Sequence, residues 1–175
     1  MRLLRTNRQK ITIRSITLTA MLLAILVVQE EVLVLIPNVQ LTTLLIMAYA
    51  AVLPTSLLLI LIPGYVLIDS LLMASLNPIY MIPMIIAWLI LGLVSKAIKD
   101  KPLAWIVGFA VFFGFFYGWT FIPSKMLTND LFLVWPYLVS DFPFEVTMAI
   151  TNLFAVAFLY RPMVHLLKLY TLIEN

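Results

Sequence analysis

The sequence predicts an all-α integral membrane protein: a bundle of six helices in a single domain spanning 1–175, with N- and C-termini cytoplasmic. Three observations lead there. The chain of 175 residues is 64% hydrophobic and 11% charged, with a mean hydropathy of +1.12, whereas a soluble domain is about half apolar and a quarter charged. Its apolar stretches recur near the ~20-residue length that a spanning helix needs. The charges segregate: Arg2, Arg5, Arg8, Lys10, Arg14, Lys96, Lys99, Lys101, Arg161 and Lys168 fall at one end of the stretches, with Lys125 the exception. Glu30, Glu31, Asp69, Asp130, Asp141 and Glu145 fall at or near the other end, and only Asp100 and Glu174 keep company with the bases. Cytoplasmic loops are enriched in Lys and Arg, so the basic end is expected to face the cytoplasm.

The first helix is predicted over about 11–28. It follows a basic run, but its length and the lack of a small-residue cleavage pattern favour a retained span over a signal peptide. The second, about 40–53, is short. Pro54 separates it from the third, about 55–73, and Asn77-Pro78 marks the next turn. The fourth covers about 79–97, with Pro83 near its start, where proline is best tolerated. Lys99-Asp100-Lys101-Pro102 forms a polar turn before the fifth, about 103–121. A long outer segment from Ile122 to Ser140 precedes the sixth, about 141–160, with Asp141 as a candidate cap and Pro143 in its first turn. A basic amphipathic tail follows. Fusing the second and third spans would leave an odd number and place the basic termini on opposite sides.

Several function classes fall away. There is no cysteine, hence no disulfide, thiolate metal site or cysteine nucleophile. No P-loop is present, so energy must come from a gradient or a partner. The net charge of +3 reads as topology and contact with anionic membrane lipid, not as nucleic-acid binding. His165, the single histidine, lies in the basic tail, and no serine–histidine pair, HExxH motif or ligand cluster accompanies it. No catalytic residue, metal or cofactor is expected, and the chain is not expected to be an enzyme.

Function is expected at the acidic, aromatic end. Trp119, Lys125, Trp135, Tyr137, Asp141 and Glu145 fall in one stretch that mixes rings and polar groups as a small-molecule pocket does; an interfacial aromatic belt is the competing reading. Asp69 sits near the outer end of the third helix, where an ionisable group faces a cavity or reaches the interface. Glu30 and Glu31 serve either as an interfacial stop or as ligand contacts. By depth and side, Asn38, Gln40, Asn77 and Tyr80 complete the set expected to face a ligand. Asn152 should face the interior. Gly114-Phe115-Phe116-Tyr117-Gly118, extended back to Ala110, permits a close helix crossing, most simply an internal one. Ala20 and Ala24 make a shallow groove on the first helix.

Thr17-Leu18-Thr19-Ala20-Met21-Leu22-Leu23-Ala24, the segment Ile36-Pro37-Asn38-Val39-Gln40-Leu41 and the overall layout resemble the S-components, the substrate-binding subunits of energy-coupling factor (ECF) vitamin transporters. The resemblance covers essentially the whole chain and rests more on architecture than on signature. It implies a prokaryotic cell-membrane protein that binds a vitamin on the extracellular side and topples to deliver it. Ala20 and Ala24 would face the transmembrane coupling subunit, and two cytoplasmic ATPases would complete the complex. The 37–41 stretch is most similar to a branch that includes cobalamin-specific members, making cobalamin or a related corrinoid the expected ligand, with pantothenate and folate as alternatives. A self-sufficient proton-coupled carrier with Asp69 or Glu145 as relay, and a structural subunit without a ligand, are the competing readings.

Overall fold

A computed structural model of the chain describes residues 13–33, 35, 39–128 and 134–172, with side chains to 170. Asn38, expected to face a ligand, lies outside these residues, as do Arg2, Arg5, Arg8, Lys10, Asp130 and Glu174. Every element is an α-helix: α1 (Ile13–Leu33), α2 (Thr42–Val52), α3 (Thr55–Leu72), α4 (Pro78–Ile98), α5 (Leu103–Trp119), α6 (Ile122–Thr128) and α7 (Val134–Leu172). Among the described residues five helical stretches are long and apolar enough to cross a membrane: α1, α3, α4, α5 continued by a turn into α6, and α7. Their outer surfaces carry large apolar side chains such as Ile13, Met21, Trp105 and Phe158, the arrangement of a bundle solvated by lipid.

Local chemistry sets the boundaries. Leu53 is extended at ψ 149°, as a residue before proline prefers, so α2 stops and α3 starts afresh after Pro54. α3 ends with Ala74 in the left-handed region at φ 51°, and the Ser75 amide reaches back to the Ser70 carbonyl at 2.9 Å, a Schellman-type closure. Asn77 caps α4 by accepting from the Ile79 amide at 3.0 Å, with Pro78 in the first turn.

Three sequence expectations need correction. α2 has only 11 residues, about 16 Å of helix, and cannot cross a ~30 Å hydrocarbon core alone. Five helices have spanning length by themselves among the described residues, with α2 as a shorter apolar helix beside them. α2 is instead the centre of the bundle. Every residue from Thr42 to Ala50 is buried, and α1, α3, α4 and α7 all pack on it. Gln29 bonds its first turn and the Lys96 ammonium donates to the Leu53 carbonyl at its other end. Lys96→Met should cost about 1.5 kcal/mol, since a charge-assisted bond to a helix-end carbonyl is lost; thermal unfolding in detergent measures it.

Secondly, the stretch from Ile122 to Ser140 is not one long loop: α6 and the start of α7 lie within it. Thirdly, Asp141 does not cap a helix, because α7 begins seven residues earlier, at Val134. Pro143 sits inside the helix, where it removes one amide donor without ending the helix. α7 has 39 residues, about 58 Å of helix, and runs on through the tail predicted to follow residue 160.

α5 and α7 make the most extensive helix pair. An added Cβ on Gly114 would stand 2.6 Å from the Ala149 amide nitrogen, so the two backbones meet there. Asn152 is buried and donates to the Ala110 carbonyl at 2.9 Å. The Gly114–Gly118 motif thus serves contact within the chain.

Candidate functional site

Among the described acidic residues, all but Asp100 collect at one end, formed by the C-terminal turns of α1, α3 and α5, the first turn of α2, and the N-terminal part of α7.

On the α1–α3 side, α1 continues past the predicted end at residue 28, and its last turns carry Gln29, Glu30 and Glu31. Successive helix positions diverge by about 100°, and the two glutamates part accordingly: Glu31 is exposed and Glu30 turns inward. The Tyr65 hydroxyl of α3 donates to Glu30 Oε2. Asp69, one turn beyond Tyr65, is buried and close enough for its charge to act on Glu30. Gln29 fastens this corner. Its Nε2 lies 2.6 Å from Thr42 Oγ1 and 3.0 Å from the Leu26 carbonyl, while its Oε1 accepts from the Leu41 amide at 2.8 Å.

On the α5–α7 side, Tyr137, Asp141 and Glu145 fall at successive four-residue steps and so share one face of α7. The Tyr137 hydroxyl lies 3.2 Å from Asp141 Oδ2 and 3.4 Å from the Gly118 carbonyl. Glu145 is 5% exposed, and its Oε1 has no hydrogen-bond partner. A cavity of about 170 Å³ opens here, lined by both carboxylates, Tyr117, Tyr137, Phe144 and the bare backbone of Gly118. Gly118 is required by this geometry: a Cβ there would stand 2.8 Å from Asp141 Oδ2 and closer still to Glu145 Oε1.

An aromatic seam joins the two sides. Tyr65 meets Trp88 edge-on at 6.2 Å between centroids, and Trp88 meets Tyr117 at 4.9 Å. Tyr117 lies near enough to Glu30 and Asp69 to feel the charge of each. Lys125 of α6 places its ammonium 5.1 Å from the ring centres of both Tyr80 and Tyr137, a double cation–π contact.

The remaining predicted residues divide. Gln40 reaches Met148, a cavity-lining residue, with Nε2 to Sδ 4.0 Å. Asn77 is occupied in capping α4. Trp135 is 74% exposed and Trp119 45% exposed. Trp135 is thus turned outward, as a residue of an interfacial belt would be, while Trp119 also keeps its indole within reach of the Glu145 carboxylate. Ala20 and Ala24 are exposed on the outer face of α1, next to the likewise exposed Met21 and Ile25.

Sequence reading missed Gln29, Tyr65, Trp88 and Tyr117. Tyr65 carried a usable signal, since it precedes Asp69 by one helical turn. Trp88 and Tyr117 sit in uniformly apolar runs that give no such cue. Among the described residues no group of three or more Asp, Glu or His is placed to hold a metal ion. At the opposite end Lys99, Lys101, Arg161, His165 and Lys168 surround a 370 Å³ groove that also includes Asp100, a surface suited to anionic headgroups. Comparison of the chain with protein-family models, with curated proteins and with solved structures finds no match.

Proposed function

We propose that this chain is the ligand-binding membrane subunit of an importer of the ECF S-component kind. One observation carries the reading: carboxylates from α1, α3 and α7, with Asp69 and Glu145 buried, collect at a single end of the bundle, the α7 pair in a cavity with aromatic walls. Ionisable groups at membrane depth are costly and mark ligand or ion paths. With the basic end toward the cytoplasm, the carboxylate end faces outside, where an imported solute arrives. The exposed Ala20–Ala24 face of α1 is the surface assigned to the coupling subunit, with the ATPases supplied by partners. The cavity, at about 170 Å³, is below the ~300–1,000 Å³ of drug-sized sites, which favours a small ligand or head group over a corrinoid.

Ala20→Trp tests the assignment. The variant should keep its ligand affinity but reduce co-purification of a coupling subunit and ATPases from native membranes by at least about tenfold, because a bulky ring prevents close helix approach. Unchanged co-purification and unchanged uptake would remove the coupling role from α1.

The placement of the half-buried Glu30 near the buried Asp69 on spanning helices also favours a second reading, a proton-coupled carrier. Uptake would then persist in cells lacking every coupling ATPase and vanish when the proton gradient is dissipated.

A further inference from the structure

We infer that the cavity between α5 and α7 receives an organic ammonium, the positively charged head of a small, flat or compact solute; this rests on the importer reading and specifies its substrate class. Two carboxylates, Asp141 and Glu145, line one cavity of about 170 Å³. Asp141 has the Tyr137 hydroxyl beside it, but Glu145 Oε1 is buried and without a partner. An unpaired acceptor of this kind costs free energy that a bound donor returns. A charged donor does so most fully, since it also offsets the negative charge held at membrane depth.

The walls agree with that ligand. Tyr117, Tyr137 and Phe144 present aromatic surface to the space, and ring faces attract cations. Lys125 demonstrates the point, because its ammonium already rests on one ring of the site, that of Tyr137. Size agrees as well: a cavity of roughly 150 Å³ accommodates a benzene-sized molecule. Pantothenate and folate carry carboxylates of their own and would meet like charge at Asp141 and Glu145. Gly118 completes the case, since its missing side chain is what lets both carboxylates approach the α5 backbone together.

Benzylammonium is the probe, with benzyl alcohol as its neutral counterpart and benzoate as its anionic one. Binding to the full chain is measured by calorimetry in nanodiscs of phosphatidylglycerol. The expected order is benzylammonium bound at least about tenfold more tightly than benzyl alcohol, with benzoate not bound. Glu145→Gln keeps the shape of the side chain and should remove that preference while leaving the neutral probe unchanged. Equal affinity for the charged and neutral probes, no saturable binding of any probe, or an unchanged preference in Glu145→Gln would each overturn the inference. A second arm adds phosphatidylethanolamine to the discs. Undiminished probe binding supports a free solute as the source of the cation. Displacement of the probe by the lipid would overturn the solute assignment in favour of a lipid ammonium. Ala20→Trp separates this inference from the importer reading: lost co-purification with no ammonium binding sinks only the substrate class. Ammonium binding with unaltered co-purification and uptake sinks only the coupling role.

Discussion

Trp88→Ala is expected to destabilise the protein by about 3–5 kcal/mol, the usual cost of truncating a fully buried aromatic side chain. Trp88 has no exposed surface. It touches rings on two other helices, Tyr65 on α3 at 6.2 Å and both Phe113 and Tyr117 on α5 at 5.3 and 4.9 Å. The cavity left behind could close only if α3 and α5 both moved toward α4, and each of those helices also carries part of the acidic end. The substitution should therefore lower the unfolding midpoint by roughly 10 °C or more. It should also loosen the registration of Tyr65 against Glu30. Thermal unfolding in detergent reads the first effect, and tryptophan-independent near-ultraviolet dichroism of the tyrosines reads the second. A midpoint within a degree or two of the parent would mean that Trp88 is not the centre of the packing.

Gly114→Ala should be nearly as damaging, although it adds a single methyl group. That methyl would stand 2.6 Å from the Ala149 nitrogen and 2.7 Å from its Cα. These are backbone atoms, which no rotamer change can move aside. The pair of helices must separate, and a loss of about 3 kcal/mol is expected, the upper part of the range for overpacked cores. Gly108 on the same helix supplies the control, because nothing lies within 4 Å of a Cβ placed there. Gly108→Ala should be neutral or stabilising by up to about 1 kcal/mol, from helix propensity alone. The same substitution at two glycines of one helix is thus expected to differ by about 3 kcal/mol or more, and melting both variants side by side checks it.

Much of the architecture was legible because membrane spans obey strong rules. The predicted bounds of α3, 55–73, and α4, 79–97, fall within a residue of those observed, since proline and asparagine punctuate the apolar runs. α7 was misjudged for a physical reason. Asp141 followed by Pro143 reads as a helix start in water, where a proline inside a helix is rare. In a bundle, neighbouring helices hold the chain helical through the proline. The site was half legible. Tyr137, Asp141 and Glu145 announce themselves by charge and by four-residue spacing, whereas Trp88 and Tyr117 are indistinguishable in sequence from lipid-facing aromatics. Which of Glu30 and Glu31 turns inward was also beyond composition. It depends on where α1 ends, and α1 runs about a turn further than its apolar stretch does.

The shortness of α2 has a consequence for how the protein is made. A segment of 11 helical residues is a poor candidate for leaving the translocation channel into lipid by itself, since it would leave polar backbone stranded at its ends within the bilayer. Its only stable home is the sheath of helices that finally encloses it. α2 and α3, joined at Pro54, are therefore best released together as a hairpin. The centre of the bundle would then be completed only when α7, synthesised well after α2, closes over it. Until that moment the nascent chain would hold its most buried element half uncovered, which makes the interval between synthesis of α2 and of α7 its most exposed stage.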